Sequence, residues 1–136
     1  MRLDTIDLTP PPDWEAHTSL LLREPSHGGF RMNIQVKTQP SREGLRLQVL
    51  GITQAKTLER DLQQAQIKAQ GLEEIAGREV YVLDYTFAIE QSEMAQLQFF
   101  TLIDDRLISM TGTALTGQHD ALRQFMETVL GTLKPA

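Results

Sequence analysis

The chain has no cysteine among its 136 residues. Disulfides, thiolate-bound metals and cysteine nucleophiles are excluded at once. Positive charge is sparse too: thirteen Lys and Arg, scattered along the chain, stand against eighteen Asp and Glu, for a net charge of −5. Nucleic-acid binding needs a concentrated positive face to neutralise phosphates, so no nucleic-acid partner is expected. There is no run of about 18 apolar residues, and no direct membrane insertion is expected. The opening MRLDTIDLTPPPDW has neither the apolar stretch of a signal peptide nor a lipobox cysteine. Together these absences lead to the expectation of a cytoplasmic protein. Apolar residues are 40% and charged residues 23% of the chain, an ordinary balance for a soluble fold. At this length one domain over residues 1–136 is expected.

Catalytic signatures are also missing. His17, His27 and His119 fall in different predicted elements, and no HxxxH, HExxH or DxD spacing seeds a metal site. There is no GxSxG elbow, Walker loop or GxGxxG. Glu73-Glu74 and Asp104-Asp105 are neighbours in sequence, and neighbours on a strand point to opposite faces, so neither pair converges on one atom. No catalytic, metal-binding or cofactor-binding residue is assigned, and a non-enzymatic protein is expected. His27 belongs to a turn, and His119 to a solvent-facing first helical turn. Asp84 interrupts the apolar run VYVLDYTF. Exposure to water is its expected state, because unpaired buried carboxylates are rare, although a functional sheet face is the other reading. Trp14, after three prolines, is expected to plug the edge of the core.

What the chain does have is periodicity. RLDTIDL reads as a short edge strand. EAHTSLLLRE and FRMNIQVK read as strands joined by the turn PSHGG, with Phe30, Met32, Ile34 and Val36 on one side. From Ser41 the period changes: Leu45, Val49, Ile52, Ala55, Leu58 and Leu62 recur at helical spacing, with Ser41 as the cap and Gly51 a weak point. Strands follow near residues 65–74 and 79–89, and then a hairpin folded at Asp104-Asp105. Pairing that hairpin symmetrically puts Leu97 with Gly112 and Phe99 with Met110 on an apolar side. The other side pairs Gln96 with Thr113, Gln98 with Thr111, Phe100 with Ser109 and Leu102 with Leu107. A last helix carries Leu122, Phe125, Met126, Val129, Leu130 and Leu133 as an apolar stripe. The predicted fold is α+β, a mainly antiparallel twisted sheet of about six to seven strands with two amphipathic helices packed on it. If both helices cover one face, the other is left open. It would then present Asn33, Gln35, Gln96, Gln98, Ser109, Thr111 and Thr113, a face with hydrogen-bonding groups and almost no charge.

Several stretches in this order resemble the DcrB-like family, whose fold is that of PsbP and the Ran-binding Mog proteins. They are Pro12-Asp13-Trp14 before a strand, FRMNIQV, a helix, IAGREVYVLDYT, QLQ at Gln96–Gln98, LISMTGTA and the terminal helix. Members without a signal peptide are similar to the Eag chaperones of type VI secretion. The resemblance implies a homodimer that shields apolar N-terminal helices of a secreted effector, with the effector's spike protein as a further candidate partner. By position it implies Leu20 or Leu21, Ile34, Gln96, Gln98, Ser109 and Thr111 as partner-binding residues. The family's polar residue after the first-strand serine is absent from HTSLLL. Two other readings stand beside it: a PsbP/Mog-like module for a folded partner, and an enzyme or small-ligand binder with Asp84 or His27 near a pocket.

Overall fold

The computed structural model describes residues 2–3, 6–62 and 64–135. In chain order the elements are β1 (Arg2–Leu3), β2 (Ile6–Asp7), β3 (Thr18–Arg23), β4 (Asn33–Pro40), α1 (Leu47–Asp61), β5 (Gln66–Ile75), β6 (Arg78–Ile89), β7 (Ser92–Ile103), β8 (Arg106–Leu115) and α2 (His119–Thr132). The main sheet has six strands in the order β3-β4-β8-β7-β6-β5, with every neighbouring pair antiparallel. Two-residue turns between the late strands use the left-handed backbone that hairpins require, at Ala76-Gly77, at Glu90 and at Asp104. The hairpin register is the symmetric one, with Gln98 opposite Thr111 and Phe99 opposite Met110. The segment RLDTIDL does not form an edge of this sheet. β1 and β2 pair with each other instead, as a separate two-stranded ribbon.

The two helices lie on opposite faces of the sheet, not on one. Leu122, Met126 and Leu130 of α2 pack on Ile34, Val36, Val80, Val82, Leu97, Phe99 and Met110. Leu47, Ala55 and Leu58 of α1 pack on Tyr81, Leu83, Tyr85, Phe87 and Phe100. Strands β6 and β7 are therefore buried on both sides. A strand covered on both faces needs apolar residues at odd and even positions alike, and VYVLDYTF is such a run.

Gly51 sets the docking of α1. A Cβ on it would overlap the ring of Tyr81, so the helix can rest on the sheet only where it has no side chain. This shifts the buried stripe to Leu47, Gly51, Ala55 and Leu58, and turns Val49 and Ile52, expected to face the core, outward. Ser41 does not cap the helix. The cap position is Arg46, without a side-chain bond, and Ser41 Oγ donates to the Asp105 carbonyl at 3.1 Å, tying the end of β4 to the β7–β8 turn. In α2, Phe125 lies at the margin of the stripe and stays exposed.

Trp14 does not plug the core: it is 73% exposed. It ends a turn in which its N–H donates to the Pro11 carbonyl at 3.3 Å and Asp13 takes a positive φ of 66°. Asp84 does not face water alone. It is largely buried at the first residue of α2, where its Oδ2 lies 2.9 Å from His119 Nε2. A hydrogen-bond partner on the ring removes much of the penalty that argued for exposure. His119, expected to face solvent, is accordingly half-buried, with Asp120 Oδ1 3.4 Å from its other ring nitrogen. His27 is in its turn, 2.9 Å from Glu24 Oε1.

Candidate functional site

Residues directly opposite in an antiparallel ladder project from the same face. The register therefore builds straight rows across the sheet. One row runs Leu21–Gln35–Thr111–Gln98–Leu83 through β3, β4, β8, β7 and β6. The next runs Arg23–Asn33–Thr113–Gln96–Tyr85, and a third Ser19–Lys37–Ser109–Phe100–Tyr81. Each row starts at the free edge of β3 and ends in the apolar cluster of α1. That explains why the second side of the late hairpin reads half apolar and half polar. Phe100 and Leu107 pack in the cluster of α1, whereas Gln96, Ser109, Thr111 and Thr113 are half-buried outside it. The uncovered strip is uncharged through its middle; Lys37 and Arg23 stand on it toward β3.

Its polar groups are partly spent on one another. Tyr85 OH donates to Gln96 Oε1 and accepts from Gln98 Nε2 at 2.8 Å, while Gln96 Nε2 donates to Thr113 Oγ1 at 2.8 Å. Gln35 Nε2 donates to Ser19 Oγ at 3.2 Å. This network fixes the rotamers of a polar floor that would otherwise be mobile. Among the described residues, the hydroxyls of Ser109 and Thr111 make no hydrogen bond to another protein group.

The residues read from sequence divide between the two faces. Leu21, Gln96, Gln98, Ser109 and Thr111 share the strip. Leu20 and Ile34 point the other way, because they pair with Val36 and with Leu22 and Gly112. Ile34 is 6% exposed in the core beneath α2, so it cannot line the strip. Gln98 is likewise buried, at 6%, and serves as a floor group. Tyr85 was missed as a site residue. Its signal was present: a buried phenol needs a hydrogen-bond partner, and two glutamines lie opposite it and one row along.

Burial pushes the Tyr85 phenol well above its ordinary value of 10.0, and the bond from Gln98 draws it back. The folded protein thus holds the neutral phenol while the unfolded chain ionises. The contribution is complete below pH 10.0 and is lost as pH rises above it. Relative to its own neutral-pH stability, wild type should lose about 1.4 kcal/mol more than Tyr85→Phe by roughly one pH unit above that point. Urea unfolding at stepped alkaline pH measures the difference, and parallel losses in the two proteins would contradict it.

No group of three or more His, Asp or Glu placed to hold a metal ion occurs among the described residues. No described helix is long and apolar enough to cross a membrane. A crystal structure of a Pseudomonas aeruginosa protein of unknown function is similar over 100% of this chain and 95% of its own, with a TM-score of 0.79 and 18% identity. The solution structure of the cyanobacterial PsbP, CyanoP, from Synechocystis sp. PCC 6803 is similar over 85% of this chain and 79% of its own, with a TM-score of 0.57 and 15% identity. LpqN of Mycobacterium tuberculosis, involved in cell envelope biogenesis, is similar over 84% and 80%, with a TM-score of 0.52 and 11% identity. At these identities the likeness concerns the fold, which is PsbP-like. No curated protein sequence matches the chain. The family model for DcrB matches residues 6–132, nearly the whole length, and the chain belongs to the DcrB family.

Proposed function

We propose that this protein is a non-enzymatic interaction module that shelters an apolar helical segment of a secreted protein, of the type VI effector kind, before export. The observation that carries the reading is the row Leu21–Gln35–Thr111–Gln98, which has hydrogen-bonding groups and no charge of its own and lies between the flanking rows that hold Arg23 and Lys37 near β3. A transmembrane helix in water exposes about 20 apolar residues and aggregates. Its sheltering surface must be apolar enough to take those residues yet offer neutral donors and acceptors to any polar side chain among them. Charged groups would lose hydration on contact without gaining a partner. Apolar burial at ~25 cal/mol/Å² gives the driving force, less the ordering costs of association. A homodimer would double the number of strips available to a client with more than one apolar helix.

Thr111→Lys is the direct test, because Thr111 is half-buried and unbonded while Gln98 is part of the folded floor. In co-expression with the N-terminal apolar segment of a candidate effector, wild type should co-purify with it. Thr111→Lys should reduce the recovered complex at least about tenfold, the equivalent of 1.4 kcal/mol. Unchanged recovery in a folded Thr111→Lys protein would refute the strip as the client surface. It would point instead to a folded partner held by loops, on which Trp14 is the most exposed aromatic residue.

A further inference from the structure

The two outer strands of the sheet differ in kind. β5 carries Lys68, Glu73 and Glu74, and its register slips between Ile67 and Ala69, so it has the charge and irregularity that block addition of another strand. β3 has none of these. It reads TSLLLR, without proline, bulge or interior charge, and Leu20, Leu21 and Leu22 are all exposed. Glu24 N–H donates to the Met32 carbonyl at 2.9 Å, which marks Glu24 and Met32 as a hydrogen-bonded pair. Bonded pairs alternate along an antiparallel ladder, so Leu22 and Leu20 also turn their backbone groups toward β4. Ser19, Leu21 and Arg23 therefore direct their N–H and C=O groups outward, where they find no backbone partner among the described residues.

Beside this edge, on the α2 side, lies an open apolar cavity of about 300 Å³ lined by Leu22, Met32, Ile34, Phe125 and Val129, with Arg23, Glu24, Pro25 and Asn33 completing its wall. Glu24 is spent: its carboxylate accepts from the Met32 N–H at 2.8 Å and lies 2.9 Å from His27. The Arg23 guanidinium is exposed and makes no ion pair among the described residues. The edge thus combines outward backbone groups, a side-chain cavity and one unmatched positive charge.

We propose that β3 accepts an extended segment of a partner protein as a seventh strand. The segment runs antiparallel to β3, places a carboxylate across from Arg23, and places an apolar side chain across from Leu22, over the cavity. A second copy of this chain matches the edge less well. Self-pairing about Leu21 in the only register that uses all three outward residues sets Arg23 across from Ser19, which leaves the charge unmatched. This inference goes beyond the helix-sheltering strip: it uses the backbone edge of β3 and the cavity on the α2 side, and shares with the strip only the side chains at its β3 margin, Leu21 and Arg23 among them.

A fluorescent peptide, acetyl-Thr-Glu-Leu-Thr-Val-Thr-Thr-amide, serves as the probe, read by anisotropy and by amide shifts in labelled protein. Binding should shift the amides of Ser19, Leu21 and Arg23. Leu21→Pro removes one outward N–H and leaves the bonds to β4 in place, so it should weaken binding at least tenfold while Leu21→Ala binds within threefold. Replacing the peptide's Glu by Lys should weaken binding several-fold, and Thr111→Lys should leave it unchanged, which separates this surface from the helix-binding strip. No binding, or equal binding by Leu21→Pro with an intact β3–β4 ladder, overturns the proposal. So does a free protein that is dimeric by light scattering and becomes monomeric on Leu21→Pro, because the edge would then belong to a second copy.

Discussion

Gly51→Ala is expected to destabilise the protein by about 2–3 kcal/mol, although a glycine-to-alanine change inside a helix ordinarily stabilises by about 1 kcal/mol. The propensity gain is real, but it is overridden. A methyl group at position 51 would occupy the space of the Tyr81 ring, and Tyr81 is itself buried between α1 and the sheet. The ring is rigid and buried, so the helix must lift from the cluster of Leu83, Tyr85 and Phe100. Gly131→Ala provides the control. An added Cβ there meets only the Ala76 methyl at 3.8 Å, an ordinary contact, and the residue is exposed near the end of α2. That change should raise stability by about 0.5–1 kcal/mol. Chemical denaturation of the three proteins gives both signs at once. A stabilised Gly51→Ala would mean that α1 does not sit on Tyr81.

Leu122→Ala is expected to cost about 3–5 kcal/mol, the largest effect of any single truncation in α2. Leu122 is fully buried in the contact between α2 and the sheet, with Met126 and Leu130 in the same stripe. Gly112 lies directly beneath: a Cβ there would overlap Met126 Sδ and lie 2.7 Å from Leu122 Cδ1. Truncating Leu122 leaves a void that the backbone of β8 cannot follow, since β8 is hydrogen-bonded to β4 and β7 on its two sides. The close approach gives a second, sharper expectation. Gly112→Ala alone should cost about 1–3 kcal/mol through overlap. In the Leu122→Ala background one of the two overlaps is gone and the vacated space lets the Met126 side chain move aside from the new methyl, so the double mutant should be more stable than the sum of the two losses predicts, by about 1 kcal/mol. Strict additivity would show that the two residues are not in contact.

The pairing of the helices with the sheet also limits the candidate site. Because α1 shares a face with the polar strip, the strip is narrower than an entirely open sheet face. It is bounded by the helix on one side and by β3 on the other. On α1 itself Val49 and Ile52 are exposed.

Much of this was legible from local pattern. Alternation from Gln96 to Leu115 determined the late hairpin and its register, because the side-chain period of two admits no slip without exchanging the faces. The pairing of Gln98 with Thr111 followed from the Asp104-Asp105 turn alone. The two helices, the strands β3 to β8 and the absence of a cysteine site followed in the same way. What local pattern could not decide was which face each helix takes, and hence which polar residues stay uncovered. A helix stripe says that a face is buried, not against what. The stripe of α1 was misphased because its contact residue is Gly51, whose missing side chain carries no hydrophobic signal and has meaning only beside Tyr81. The partnership of Asp84 with His119 joins residues far apart in sequence, and the exposure of Trp14 depends on where the chain after the prolines meets the sheet. Periodicity is a property of neighbours along the chain. Burial, ion pairing and an open sheet face are properties of neighbours in space, and these came into being only when the sheet closed between its two helices.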